Sequence, residues 1–318
     1  MPSALFEPLR MGQCELQHRV VMAPITRFRT DTDHCPLPIA KEYYGQRSHS
    51  PGTLIITEGT AVSERLVGLP HWAGCWTESQ LDKWKEIVER VHSKGCYIFL
   101  QLCCAGRTAD KGFPKLSSGD IPLQPHASAI ETEDDDKPPT PMTKHDIKSA
   151  INDHATAARN AMATAAAVVD AVGADRVGFR ISPWSTYHSI TPINPEAQFQ
   201  HLVTELRKLN LAYLHVITSR VDNWQDVERV KPLDFIFDSW TKNIPVIITG
   251  GFDGESAEEA VGTASKGFQV AVGFGRSFAS TPDLVTCIKK GIAPNVFKGE
   301  LAYTAGTPSG YIDYPFLS

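Results

Sequence analysis

The sequence predicts an α/β fold assembled from parallel βα units, seven of them recognisable. Two observations carry the prediction: short β-branched runs recur along the chain, and helical periodicities fill most of the intervals between them. A third, one interval far longer than the others, marks an irregular unit. The runs are Val20 to Ile25, Thr53 to Thr57, Tyr97 to Cys103, Arg176 to Ile181, Leu211 to Ile217, Pro245 to Ile248 and Gln269 to Phe274, seven candidate buried strands. Between them, Thr77 to Ser93 repeats Leu81, Trp84, Ile87, Val88 and Val91 at helical spacing. Ala197 to Leu209 does the same with Phe199, Leu202, Val203 and Leu206. A long alternation of this kind makes either a closed barrel or an open doubly wound sheet, and periodicity alone does not separate the two.

The irregular interval lies between the third and fourth runs, whose starts at 97 and 176 are 79 residues apart. Its first part, Thr108 to Pro141, is rich in proline, serine and acid (Glu131, Glu133, Asp134, Asp135, Asp136) and reads as an exposed excursion or lid. Thr143-Lys144-His145-Asp146 then resembles a capping box, and neither glycine nor proline interrupts the chain until Gly173. That permits one fused helix of about 29 residues, roughly 44 Å long. Its alanine-rich stretch, Ala161 to Ala167, favours helix and leaves no strand candidate inside.

Composition bounds the function classes. A chain of 318 residues suits one large domain spanning 1–318, and 42% hydrophobic against 21% charged residues is enough to bury a sizeable core. A net charge of -5 with no Lys/Arg run argues against nucleic acid. The opening residues lack a charged region followed by an apolar stretch, and no segment reaches the ~18 apolar residues of a membrane span, so a cytoplasmic location is expected. The seven cysteines (Cys14, Cys35, Cys75, Cys96, Cys103, Cys104, Cys287) are odd in number and lack C-x-x-C spacing. Reduced thiols are therefore expected, with no metal site.

The last two strand-to-helix junctions carry the most informative local signal: Ile248-Thr249-Gly250-Gly251-Phe252, then Gly273-Phe274-Gly275-Arg276-Ser277. Glycines directly after a strand let a phosphate approach backbone N–H groups, and (β/α)₈ barrels often hold phosphate after strands 7 and 8. Taken singly, each pair makes no more than a tight turn. Together, and with the forked cation of Arg276, they point to phosphate.

Longer passages extend this signal. MAPITRFRT at 22 to 30, YYGQRSHSPGTLIITEGT at 43 to 60, WTESQLDKWKEIVERVHSKGCYIFLQL at 76 to 102, GADRVGFRISPW at 173 to 184, LAYLHV at 211 to 216, VGFGRSFASTPDL at 272 to 284 and GYIDYP at 310 to 315 follow one another in order over nearly the whole chain. In these the sequence resembles the old yellow enzyme family, its fungal members in particular. The resemblance implies a TIM (β/α)₈-type barrel, here short of one strand, and a flavin mononucleotide (FMN) cofactor. It implies that Pro24 and Thr26 lie against the flavin ring, that Gly59 passes close to it, and that Gln101 bonds its pyrimidine edge. Arg180 would reach the N1 side, where a cation stabilises reduced flavin, and Gly250, Gly251, Gly275 and Arg276 would hold the phosphate.

The family's active site also requires a strand ending in His-x-x-His or His-x-x-Asn, followed shortly by tyrosine, to polarise the substrate carbonyl and protonate the adjacent carbon. Here Asn160-Ala161-Met162 runs directly into Ala167-Val168-Val169-Asp170, and that segment is absent. The barrel is expected to be open, rearranged, or completed by a second copy of the chain. Other departures fall on the substrate side: Cys103 stands where many relatives have tryptophan, Ala302 replaces an aromatic residue, and Thr218-Ser219-Arg220 replaces Glu-Pro-Arg.

Tyr303, which matches a pocket tyrosine, is one candidate proton donor. His188 and Tyr187, beyond the strand at 176 to 181, are two more. His71 and Glu58 are weighed against ordinary structural roles, and Cys103 and Cys104 read as strand residues. The expected function is FMN-dependent oxidation–reduction of a small unsaturated carbonyl compound with NADPH as reductant. A non-reductive isomerase or cyclase in the remodelled pocket, or a non-catalytic binding protein, is the alternative.

Overall fold

A computed structural model describes residues 3–117, 120, 138–161, 169–170, 172–185, 194–219, 221–222, 225–226, 231–262 and 267–318. The strands in chain order are β1 (Leu9–Met11), β2 (Cys14–Leu16), β3 (Val20–Met22), β4 (Leu54–Ala61), β5 (Tyr97–Cys103), β6 (Leu116–Ser117), β7 (Thr140–Pro141), β8 (Gly178–Ile181), β9 (Tyr213–Ile217), β10 (Val221–Asp222), β11 (Gln225–Asp226), β12 (Val246–Thr249) and β13 (Val270–Phe274). Seven of them form one parallel sheet in the order β5-β4-β3-β13-β12-β9-β8. These are the seven runs expected from sequence. β3 stops at Met22 because Pro24 has no N–H to continue the ladder. β4 runs further, to Ala61, through a register shift between Ile56 and Gly59.

The sheet is curled. Phe99 on β5 and Tyr213 on β9 meet edge to face with ring centroids 5.5 Å apart. In a flat sheet the five strand spacings between them, about 4.8 Å each, would hold them roughly 24 Å apart. Among the described residues the architecture is that of a (β/α)₈-type barrel with seven strands, and the open side lies between β5 and β8, where the 79-residue interval falls.

Alternation of side chains sorts the core into two. Val21, Leu54, Ile56, Tyr213, Ile247 and Ala271 point inward, and the β1–β2 hairpin closes the floor beneath them with Leu9, Met11 and Leu16. Glycine at 178 is required, because a Cβ there would lie 2.1 Å from the Tyr213 ring. Tyr213 thus fills lumen space beside the opening, so the interior there is packed. Val20, Met22 and Ile55 point outward to the helices, meeting Tyr43 and Tyr44 of α1 (Pro38–Arg47) and Trp84, Ile87 and Val91 of α2 (Glu78–His92). α2 starts at a capping box of Thr77 and Gln80.

The expected box at Thr143 also forms: the Asp146 N–H donates to Thr143 Oγ1 (3.1 Å) and the Thr143 N–H to Asp146 Oδ2 (2.9 Å). It opens α3 (Lys144–Ala161), which Asp153 pins to the turn after β4 through Ser63 (3.0 Å) and Arg65 (2.8 Å). The remainder of the expected fused helix, at 162–168 and 171, and the acidic run at 131–136 lie outside the described residues. The excursion is closed at its base by the short parallel pair β6–β7. All seven cysteines are free thiols. No described helix is long and apolar enough to cross a membrane.

Candidate functional site

Parallel strands bring all their C-terminal ends to one rim, where barrel proteins place their chemistry. Across the sheet from one open edge to the other, the rim carries Gln101 on β5, its register partner Gly59 on β4, Pro24 and Thr26 after β3, Gly275 and Arg276 after β13, Gly250 and Gly251 after β12, and Arg180 on β8. The fold therefore gathers all nine residues that the resemblance named for a cofactor. Their separation in sequence, from 24 to 276, is closed by strand order alone.

On the β12–β13 side a cleft of about 390 Å³ is lined by Gly251, Arg276, Ser277, Ser280, Asn295 and Phe297. Gly250 has φ +135° and Gly251 φ +62°, and a Cβ at Gly250 would lie 2.7 Å from Thr218 Oγ1, so the turn needs glycine there. At the β8 edge Arg180 is half-buried, and its buried Nε has no hydrogen-bond partner among the described residues. Burial lowers its pKa to about 10, so it remains a cation at neutral pH. Its register partner His215 bonds Thr249 Oγ1 (2.8 Å), and burial holds that imidazole well below its ordinary value, hence neutral. A cation with a donor unused among the described residues on β8, and a polar cleft with an arginine after β12 and β13, two and three strands further along the rim, suit an elongated ligand with an acceptor edge and an anionic tail.

Above the rim lies an aromatic cluster. Tyr303 packs on Phe28 at 5.5 Å and shares the cluster with Trp72, Trp76, Phe113 and Cys103. Gly59 sits beneath it; a Cβ there would meet Cys103 Sγ at 2.9 Å and Trp72 Cζ2 at 3.3 Å. Burial pushes the Cys103 thiol far above its ordinary range and raises that of Cys104, so neither serves as a thiolate nucleophile at neutral pH. His71 turns Nδ1 to the Thr30 carbonyl at 3.0 Å, a structural role. Tyr187 and His188 lie outside the described residues.

Sequence reasoning missed what holds Tyr303 in place. Arg27 and Arg29, fully buried, reach across more than 270 residues to carbonyls of the C-terminal segment. Arg27 Nε donates to Ala302 (3.1 Å), and Arg29 donates to Thr307 (2.8 Å), Leu301 (3.1 Å) and Ser309 (3.1 Å). Arg47 donates to Tyr311 (2.9 Å), whose ring stacks on Tyr43 at 4.0 Å. The TRFR motif at 26 to 29 was the available signal, since two arginines beside a strand end have to find acceptors if buried.

The sequence matches the NADH:flavin oxidoreductase / NADH oxidase family in two stretches, residues 4–167 and 162–295. It is 37% identical over 368 positions to chanoclavine-I aldehyde reductase ifgG of Penicillium roqueforti, covering 98% of this chain and 95% of that one. It is 34% identical over 365 positions to the probable inactive reductase easA of Epichloe festucae var. lolii, covering 99% and 95%. The structure of morphinone reductase in complex with tetrahydroNAD superposes with a TM-score of 0.84 at 29% identity, covering 99% of this chain and 98% of that one.

Proposed function

Because this chain belongs to the NADH:flavin oxidoreductase / NADH oxidase family, the old yellow enzymes of the sequence resemblance, and is thereby an FMN-dependent oxidoreductase, we propose that it acts on a small α,β-unsaturated carbonyl compound of fungal secondary metabolism with NADPH as reductant. The observation that carries this reading is the pairing across one rim of the orphaned Arg180 Nε with the cleft at Gly251 and Arg276. FMN supplies hydride-transfer chemistry when bound. In our assignment Gly250, Gly251 and Gly275 offer backbone N–H groups to its phosphate and Arg276 a forked cation. Arg180 and Gln101 meet the acceptors of its ring, with Pro24, Thr26 and Gly59 against it. Tyr303, held at the edge of the aromatic cluster, donates the proton to substrate.

The family's His/Asn pair and its tyrosine belong, in this reading, to a segment the chain has lost. An alignment of 368 positions against 318 residues leaves at least 50 positions of the Penicillium relative without a counterpart, and the open side of the sheet lies where the lost unit would stand. That loss, with a relative named probably inactive, favours a second reading: a non-reductive isomerase or cyclase, or a binding protein, whose seam a second copy covers.

The visible spectrum of the purified protein with added FMN, followed by anaerobic NADPH, tests the proposal. A bound flavin band bleached by NADPH is the expected result. A bound flavin inert to both NADPH and NADH favours the second reading, and no bound flavin refutes the cofactor assignment.

A further inference from the structure

Glu58 is 3% exposed, next to Gly59 on β4, in the wall between the cofactor rim and the aromatic cluster. Its Oε2 accepts the Arg27 N–H at 3.1 Å, and the Phe28 N–H is directed to the same carboxylate. The two amides belong to the loop that follows β3. The Arg27 N–H is half of the peptide unit whose carbonyl is that of Thr26, so the bond sets the plane on which Thr26 is mounted. Phe28 has φ +54°, a left-handed conformation that costs a residue with a Cβ about 1–2 kcal/mol and persists only when its surroundings impose it. Phe28 in turn packs on Tyr303. The Glu58 amide donates to Tyr44 Oη at 3.1 Å, which fixes the strand on its far side.

We propose that Glu58 is a positioning residue whose carboxylate clamps the Arg27 and Phe28 amides, and so sets Thr26 on the cofactor side and the Phe28–Tyr303 pair on the substrate side together. The inference rests on the reading above that Thr26 faces the flavin and Tyr303 the substrate. A carboxylate accepts two amides more strongly than a neutral carboxyl, so the grip strengthens on ionisation. The groups facing it are Arg27 and Arg29 from the loop, Tyr43 and Tyr44 from α1, and Tyr311 from the C-terminal segment. Burial raises the Tyr44 and Tyr311 hydroxyls well above 10 and brings Arg29 down only to about 10, so through neutrality the two tyrosines stay uncharged and Arg29 stays a cation. Burial pushes Glu58 itself up to about 7. The clamp therefore tightens between about pH 6 and 8.

Amide hydrogen exchange on the full chain, corrected for the intrinsic pH dependence of exchange, tests the clamp with and without FMN. Protection of residues 26–28 and of the segment around Tyr303 against local opening, in which the loop parts from a carboxylate that stays buried, is expected to rise about tenfold from pH 6 to 8 in the wild type. In Glu58→Gln, which keeps one acceptor but has no ionisation, it is expected to stay flat. In FMN-loaded protein the flavin absorption maximum should shift over the same range and stay constant in the variant. Equal pH dependence of protection in wild type and Glu58→Gln, or none in either, overturns the proposal. Absence of bound FMN refutes the cofactor reading, while exchange in the apo-protein still decides the role of Glu58.

Discussion

Arg180 has to be buried to be placed and charged to be useful, and the two requirements conflict. Its Nε donor is shielded from water with nothing described to accept it, which costs about 1–3 kcal/mol or more for a charged group. Such a cost is tolerated where a ligand removes it. Arg180→Met is therefore expected to leave the apo-protein as stable or about 1 kcal/mol more stable, and to weaken FMN binding at least tenfold. Thermal unfolding of the apo-protein and flavin fluorescence titration read the two effects.

Glu58 poses the same conflict with the opposite sign. Its folded pKa of about 7 lies above the ordinary 4.5, so the folded state binds the extra proton between those values. Its stabilising contribution is complete below pH 4.5 and lost as pH rises through 7, in total about 3 kcal/mol. His18 runs the other way: burial lowers it to about 4, so its contribution is present above 6.5 and lost as pH falls through 4. Denaturant unfolding across pH 4 to 8 should show Glu58→Gln gaining on the wild type as pH rises while the acid limb from His18 is kept.

At the scale of the element, α3 is the part of the irregular interval that the described residues define. It is amphipathic enough to dock but leaves Ile147 and Ile151 substantially exposed, so its placement rests on its ends and on polar pins. The Thr143–Asp146 box closes its first turn, and Asp153 ties its middle to Ser63 and Arg65 beyond β4. Thr143→Ala removes the acceptor for the Asp146 N–H and should cost about 1 kcal/mol, measured by denaturant unfolding. Because the box is exposed and holds none of the residues proposed for the cofactor, FMN affinity should stay within twofold of the wild type. The C-terminal segment is held differently, by buried guanidinium groups on backbone carbonyls. Arg29→Leu leaves the carbonyls of Leu301, Thr307 and Ser309 without that donor, and a loss of roughly 3 kcal/mol is expected. Tyr303 should then become more mobile, seen as faster amide exchange at 301–305.

For the whole molecule, seven strands among the described residues do the work of eight, with the open side between β5 and β8. Tyr213 filling the lumen over Gly178, with Phe99 against it, replaces part of the lost packing, and the hairpin floor supplies more. The proposed cofactor would reach Gln101 on β5 as well as Arg180 on β8, the two strands that border the opening, and so would stabilise the curl by mass action. Free FMN at about 100 times its Kd should add about 2.7 kcal/mol, which for a chain of this length corresponds to roughly 4 °C in Tm. Riboflavin, which lacks the phosphate, should give a smaller shift in the wild type and an unchanged one in Arg276→Ala.

The sequence alone determined the seven strands, the start of α3, the glycine turns after β12 and β13 and the place of the irregular unit. All of these are written in local periodicity, capping and turn chemistry, which act over a few residues. The residues proposed for the cofactor were legible as matched segments, though not as a site. What the tertiary structure decided is long-range: that β5 and β8 border the gap, that Tyr213 fills the space above Gly178, that Arg29 holds a segment some 270 residues away, and that the Glu58 carboxylate receives an amide from 31 residues earlier. No local pattern encodes these contacts, because they exist only once the strand order has brought distant segments to the same rim, and burial then requires every polar group there to find a partner.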